Sequence, residues 1–181
     1  MGVFMNYLGI GSSKDTEREE EATAGVDRSG DIGNGSILLD ISSGKAEIPL
    51  TEDGRVPRVM LTEMNNIGEF VAAALDLEKW ERDMNIVGSI IRLDELVRIA
   101  EEVRGKKFEV VKLEKKGLVE EHAALGEEQF VKQLWVEYKL LLTADKVGES
   151  FLDPVVNELC PGVKAVDVES YLKKYWGKST E

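Results

Sequence analysis

The sequence predicts an α/β chain (α+β in isolation), an incomplete sheet with packed helices, the helices outnumbering the strands. Three observations carry that expectation. Two central segments place apolar residues at helical spacing, and each follows a short strand candidate. Two further helical stripes occupy the last third. The chain has 181 residues, 43% of them hydrophobic and 32% charged, which is enough to bury a core within one domain, residues 1–181.

Taken in order, residues 11–36 stand apart. The stretch Gly11-Ser12-Ser13-Lys14-Asp15-Thr16-Glu17-Arg18-Glu19-Glu20-Glu21 and the glycine-rich stretch 30–35 contain few apolar side chains to offset the entropy of ordering. An acidic mobile loop is expected, with a transient helix around 16–24, and deleting 16–29 is expected to change stability little. Residues 36–41 and 45–50 read as strands joined by a Ser42-Ser43-Gly44 turn. Thr51-Glu52-Asp53-Gly54 is a second turn, and a strand runs through Val59-Met60-Leu61. Asn65 or Asn66 is expected to cap a helix whose stripe is Ile67, Phe70, Val71, Ala74 and Leu75.

Residues 85–91 read as a strand. Leu93, Leu96, Val97, Ala100 and Val103 form the next helical stripe, closed by Gly105 at a left-handed position. A strand over 107–113 and a loop over 118–126 follow. A longer helix is expected over 127–142, carrying Phe130, Leu134, Trp135, Tyr138, Leu141 and Leu142. Asp167 caps a last helix with Val168, Tyr171, Leu172, Tyr175 and Trp176 on one face, and Gly177 ends it.

Composition excludes several classes of function. Acidic residues number 35 against 23 basic, a net charge of −12 that repels phosphate backbones and anionic lipid; neither nucleic acid nor membrane is an expected partner. No apolar run reaches the length of a membrane span, and the first residues lack the basic region of a signal peptide. A single cysteine, Cys160, forbids an internal disulfide and suits a reducing compartment, so a cytoplasmic location is expected, with the nucleus as the alternative. One histidine and one cysteine cannot make a zinc site, and no metal is expected.

The remaining constellations are weak as chemistry. His122 lies in the expected loop and reads as a solvated side chain. Cys160, before Pro161-Gly162, reads as packed rather than nucleophilic. Gly9-Ile10-Gly11 supplies two glycines of a dinucleotide fingerprint, but Lys14 stands where the third belongs. The pairs Glu101/Glu102 and Glu127/Glu128 are helical neighbours that do not converge. Arg104, Lys106, Lys107, Lys112, Lys115 and Lys116, interleaved with glutamates, read as a solvated strand edge. The aromatic residues at 135, 138, 171, 175 and 176 read as core or helix-docking material.

Several segments in sequence order carry a family resemblance. Gly2-Val3-Phe4-Met5-Asn6-Tyr7-Leu8 resembles a Gly-Phe-Phe-x-Asp-Tyr-Leu element midway through NmrA-like proteins. The stretch from Thr62 through Asn66-Ile67-Gly68 to Leu75 is similar to that family's Thr-x-x-x-Asp-Ile-Gly-x-Phe-Val-Ala. Val87-Gly88, Leu93-Asp94-Glu95-Leu96 and Ala100-Glu101-Glu102-Val103-Arg104-Gly105-Lys106-Lys107-Phe108 continue it. Asn6 and Asn66 stand where the family has aspartate, and the 11–36 insert is more polar than its counterpart.

The resemblance implies the C-terminal, substrate-side portion of an isoflavone-reductase-like, atypical short-chain dehydrogenase fold, with a Rossmann half that binds NAD(P) expected before it. Phe4 and Tyr7 would then line the nicotinamide-side wall. The resemblance assigns no catalytic residue to this chain. Autonomous NAD(P) binding is not expected, because the family's glycine-rich loop and catalytic lysine belong to the preceding half. Two alternatives stay open: an NAD(P)-dependent reductase of a small molecule completed by another chain, and a regulatory module that binds a protein partner.

Overall fold

A computed structural model describes residues 3–12, 16–26, 38–147 and 150–177. Strand β1 (Val3–Phe4) runs into a short 3-10 helix at Met5–Gly9, and helix α1 (Thr16–Ala22) follows. Strands β2 (Leu39–Asp40) and β3 (Lys45–Pro49) form the expected antiparallel hairpin, with Gly44 at φ +78° in its turn. Next come β4 (Arg58–Thr62), α2 (Met64–Ala74), β5 (Ser89–Arg92), α3 (Leu93–Arg104) and β6 (Glu109–Leu113). Helices α4 (Lys115–Ala124), α5 (Phe130–Leu142), α6 (Val155–Leu159) and α7 (Val168–Trp176) close the order.

The strands form two three-stranded sheets, so the chain is mixed α/β as expected. One sheet runs β1-β4-β5, with β1 parallel to β4 (Phe4 beside Thr62) and β5 antiparallel. The other runs β2-β3-β6, with β6 parallel to β3 and outermost. The main core gathers Val59 and Leu61 from the first sheet and Ala46 and Ile48 from the second. Leu93, Leu96, Val97 and Ala100 of α3 join it, together with Tyr171, Leu172 and Trp176 of α7.

Helix α7 is set as its sequence requires. The Asp167 carboxylate accepts the Ser170 N–H at 2.8 Å, all five residues of its apolar stripe are buried, and Trp176 Nε1 donates to the Leu8 carbonyl at 2.7 Å. Gly105 ends α3 at φ +62°, receiving no strain from the left-handed turn.

Five expectations are corrected. Where the 11–36 stretch is described, the helix expected around 16–24 is present at 16–22, docked rather than transient; residues 13–15 and 27–36 lie outside the described residues. Seven residues do not hold a helix alone, and here docking does it. The Ala22 carbonyl accepts from Tyr171 Oη at 2.6 Å and from Asn6 Nδ2 at 3.2 Å, and Lys174 Nζ reaches Glu21 Oε1 at 2.6 Å. Deleting 16–29 would therefore strip buried partners, contrary to the small effect expected.

The cap of α2 is Glu63, not Asn65 or Asn66: its carboxylate accepts the Asn66 N–H at 2.8 Å. The α2 stripe also splits. Phe70 and Ala74 pack with Val156 and Cys160, whereas Val71 and Leu75 face solvent, because α6 covers only one flank. Residues 85–88 do not join the sheet. Asn157 holds both polar groups of Val87, and a Cβ on Gly88 would lie 2.6 Å from the Leu61 carbonyl oxygen. Finally, most of the expected loop 118–126 is helix α4. It buries only Leu118, so its sequence shows no apolar period to read.

Candidate functional site

In sheets with parallel strands, ligands gather at the carboxyl ends of the strands. Here that edge is where β1 and β4 end side by side, at Phe4 and Thr62. The chain then turns through the 3-10 helix on one side and into α2 on the other. Asn6, fully buried between them, is the fastening point. Its Oδ1 accepts the Met64 N–H at 2.9 Å, while Nδ2 donates to the Ala22 carbonyl and faces Glu63 Oε1 at 3.5 Å. An aspartate there would lack the donor and would set a second buried carboxylate beside Glu63. Asparagine satisfies both sides. Asn66 is equally committed, accepting the Val166 N–H at 2.9 Å and donating to the Lys164 carbonyl at 3.1 Å and to Glu69.

The two residues implied as a cofactor wall sit on this edge with different surroundings. Phe4 is exposed at 39%, a large apolar side chain open to solvent. Tyr7 is half-buried and meets the Trp135 ring edge-on, with centroids 6.4 Å apart and planes at 79°. Tyr7 also lines a cavity of about 220 Å³ with Leu8, Gly11, Asp40 and Ser42. Phe4 does not line it. Trp135 was read from the sequence as core material, and the structure brings it to Tyr7.

The glycine turn beside this edge is full of protein. A Cβ on Gly9 would lie 2.7 Å from Tyr171 Oη and 2.8 Å from Ala22, so helix packing fills that side of the turn and leaves no room for a phosphate at Gly9, while Gly11 faces the cavity. Burial raises the Tyr171 hydroxyl well above the usual tyrosine range, which keeps it a neutral donor to Ala22. The described residues do not fit the pyrophosphate of a dinucleotide at this turn. The second glycine-rich stretch, 30–35, lies outside them.

The other residues considered from sequence lie elsewhere. His122 Nε2 pairs with Glu137 Oε1 at 2.9 Å between α4 and α5. Cys160 is buried beside Phe70, packed as expected. Glu101 and Glu102 part company: Glu101 binds Lys107 and the Phe108 N–H, while Glu102 pairs with Arg98. The basic cluster is exposed along and beside the edge strand β6, as expected, with Lys106 Nζ on the Ser43 carbonyl at 2.8 Å and Arg104 over the Trp176 ring. Glu63, which organises the α2 end of the site, was missed. Its only sequence signal is its place three residues before Asn66. Among the described residues no group of three or more His, Cys, Asp or Glu could hold a metal, and no helix is long and apolar enough to cross a membrane.

Comparison with known proteins places this architecture. The chain is similar in fold to a Citrobacter sp. triphenylmethane reductase solved in complex with NADP(H), with a TM-score of 0.51 and 19% identity over 75% of this chain. It spans 45% of the length of that reductase. The fold is therefore shared with part of an NADP-complexed reductase. In sequence it is 25% identical over 144 residues to a Bacillus subtilis (strain 168) protein described as an uncharacterized HTH-type transcriptional regulator, YdeS, covering 72% of this chain and 68% of that protein. No family model matches the chain.

Proposed function

We propose that this chain forms the substrate side of an NAD(P)-dependent, NmrA-like reductase fold, with Phe4 and Tyr7 facing the nicotinamide end of a dinucleotide held by other residues. The observation that carries this reading is the parallel β1/β4 pair, which ends in an exposed aromatic and a half-buried tyrosine within a fold shared with an NADP-complexed reductase. By itself the chain neither binds the dinucleotide tightly nor turns it over. The packed Gly9 turn supports that part of the reading, since backbone amides at such a turn supply much of pyrophosphate recognition.

The alternative of a protein-binding module would engage its partner through the acidic 11–36 stretch and the aromatic last helix, and the aromatic residues of α7 are buried in the core. The two-chain reductase differs in one result: NADPH binding would appear when a dinucleotide-binding chain is added.

Calorimetric titration with NADPH and NADH tests the reading, with cooperative unfolding as the check on folding. No heat at millimolar cofactor is expected from the chain alone. Micromolar binding at the Tyr7 side would overturn the non-autonomous reading and make the chain a reductase or redox sensor in its own right.

A further inference from the structure

We propose that the uncovered flank of helix α2 is a docking surface for a basic, amphipathic helix of another protein. Helix α2 has two apolar flanks, and only one is used inside the chain. Phe70 and Ala74 are buried against Val156 and Cys160. On the other flank Val71 is 48% exposed and Leu75 67%, the highest value for a large apolar side chain among the described residues. Gly68 and Ala72 complete that flank and are also exposed. A Cβ on Gly68 would meet nothing within 4 Å, so nothing stands over that part of the helix. From Gly68 to Leu75 the strip runs for about 10 Å, the length of two turns of a partner helix.

The surface is held in place at both ends. Glu63 fixes the first turn of α2 by accepting the Asn66 N–H, and Asn66 in turn holds the Lys164 carbonyl and the Val166 N–H. At the other end Trp80 Nε1 donates to the Ala74 carbonyl at 3.0 Å, yet the residue stays 56% exposed. The indole is therefore set against the last turn of α2 with its polar atom already satisfied. An oriented, solvent-facing tryptophan is the kind of anchor that dominates protein interfaces.

Charge decides the occupant. Between Glu69 and Asp83 stand five acidic residues and two basic ones. Lys79 is matched by Glu81 at 3.5 Å, which leaves Arg82 as the other base. Asp76, Glu78 and Asp83 make no ion pair among the described residues. The last turn of α2 carries no basic residue, so the negative end of its dipole is also unmatched. An apolar strip with this rim selects lysine or arginine placed beside apolar anchors. A second copy would set the same acids against each other on chains of net charge −12, and anionic lipid is repelled likewise. An amphipathic helix with apolar residues at i, i+3, i+4 and i+7 matches the two-turn strip. The surface goes beyond the dinucleotide reading, since none of its residues lines the Tyr7 cavity.

The probe is a helical peptide of about 18 residues, with leucines at i, i+3, i+4 and i+7 and lysines on both borders. Its control carries glutamate in place of every lysine. Methyl resonances of Val71 and Leu75 and the Trp80 Nε1–H resonance read the surface directly. The lysine peptide is expected to shift them saturably, and the glutamate peptide is not. Leu75→Ser and Trp80→Ala should each weaken binding about tenfold, with melting temperatures confirming that both variants fold. Asp76→Asn combined with Glu78→Gln should weaken binding and flatten its dependence on salt. No saturable shift, shifts scattered over the acidic surface, binding that survives Leu75→Ser, or equal binding of the two peptides overturns the proposal. A dimer in sedimentation that Leu75→Ser dissolves also overturns it, and assigns the strip to a second copy.

Discussion

Helices α7 and α4 are nearly equal in length, nine and ten residues, yet they stand in opposite relation to the core. Helix α7 buries Val168, Tyr171, Leu172, Tyr175 and Trp176, and each polar tip on that face finds a partner: Tyr171 at Ala22, Tyr175 at Glu21, Trp176 at Leu8. Helix α4 buries Leu118 alone and meets α5 largely through ion pairs, His122 with Glu137 and Glu121 with Lys132. Burial of apolar surface scales with area, whereas exposed pairs are screened by water. One helix is therefore a pillar of the core, and the other is held by its neighbour.

The largest expected effect tests the pillar. Trp176→Ala removes a buried ring and its bond to the Leu8 carbonyl, and should cost about 3–5 kcal/mol in denaturant unfolding. A loss below about 1 kcal/mol would take α7 out of the cooperative core and erase the contrast.

Asp167→Ala probes the start of the same helix and should cost about 1 kcal/mol near neutral pH. The Ser170 N–H and hydroxyl hold the Asp167 carboxyl below its ordinary value of 3.8. The folded value is depressed, so this stabilisation is complete above 3.8 and is lost as pH falls through the lower folded value. Wild type and variant should therefore converge in acid, and a gap independent of pH would mean that the cap works by packing rather than charge.

His122→Gln is the smallest expected effect, within about 0.5 kcal/mol, since it touches one partly exposed pair. A cost well above 1 kcal/mol would show α4 to be anchored as firmly as α7.

The same contrast explains what could be read in advance. Helix α7 was legible because the devices that start, pattern and end it are local: an aspartate cap, apolar residues at i, i+3, i+4, i+7 and i+8, and a closing glycine. Helix α3 was legible from its apolar stripe and its closing glycine, with no side-chain cap at its start. Helix α4 was not, because one buried leucine makes no period. Of helix α1 only a transient form was legible, because the partners that dock its Ala22 carbonyl lie about 150 residues away in α7 and at Asn6. At the candidate site the positions of Phe4 and Tyr7 were drawn from resemblance, while the Tyr7–Trp135 contact joins residues 128 positions apart and has no sequence signature. Which half of the α2 stripe is covered was not legible either, since Val156 and Cys160, which cover Phe70 and Ala74, lie far along the chain.

The sequence by itself determined the α/β class, the β2–β3 hairpin, the end of α3 at Gly105 and the apolar face of α7, because each is written in spacings of a few residues. The tertiary structure alone decided that residues 16–22 hold as a docked helix and that Glu63 rather than an asparagine caps α2. Those outcomes depend on long-range partners for buried polar groups. A short or acidic segment adopts structure only where such partners offset the cost of ordering and desolvating it.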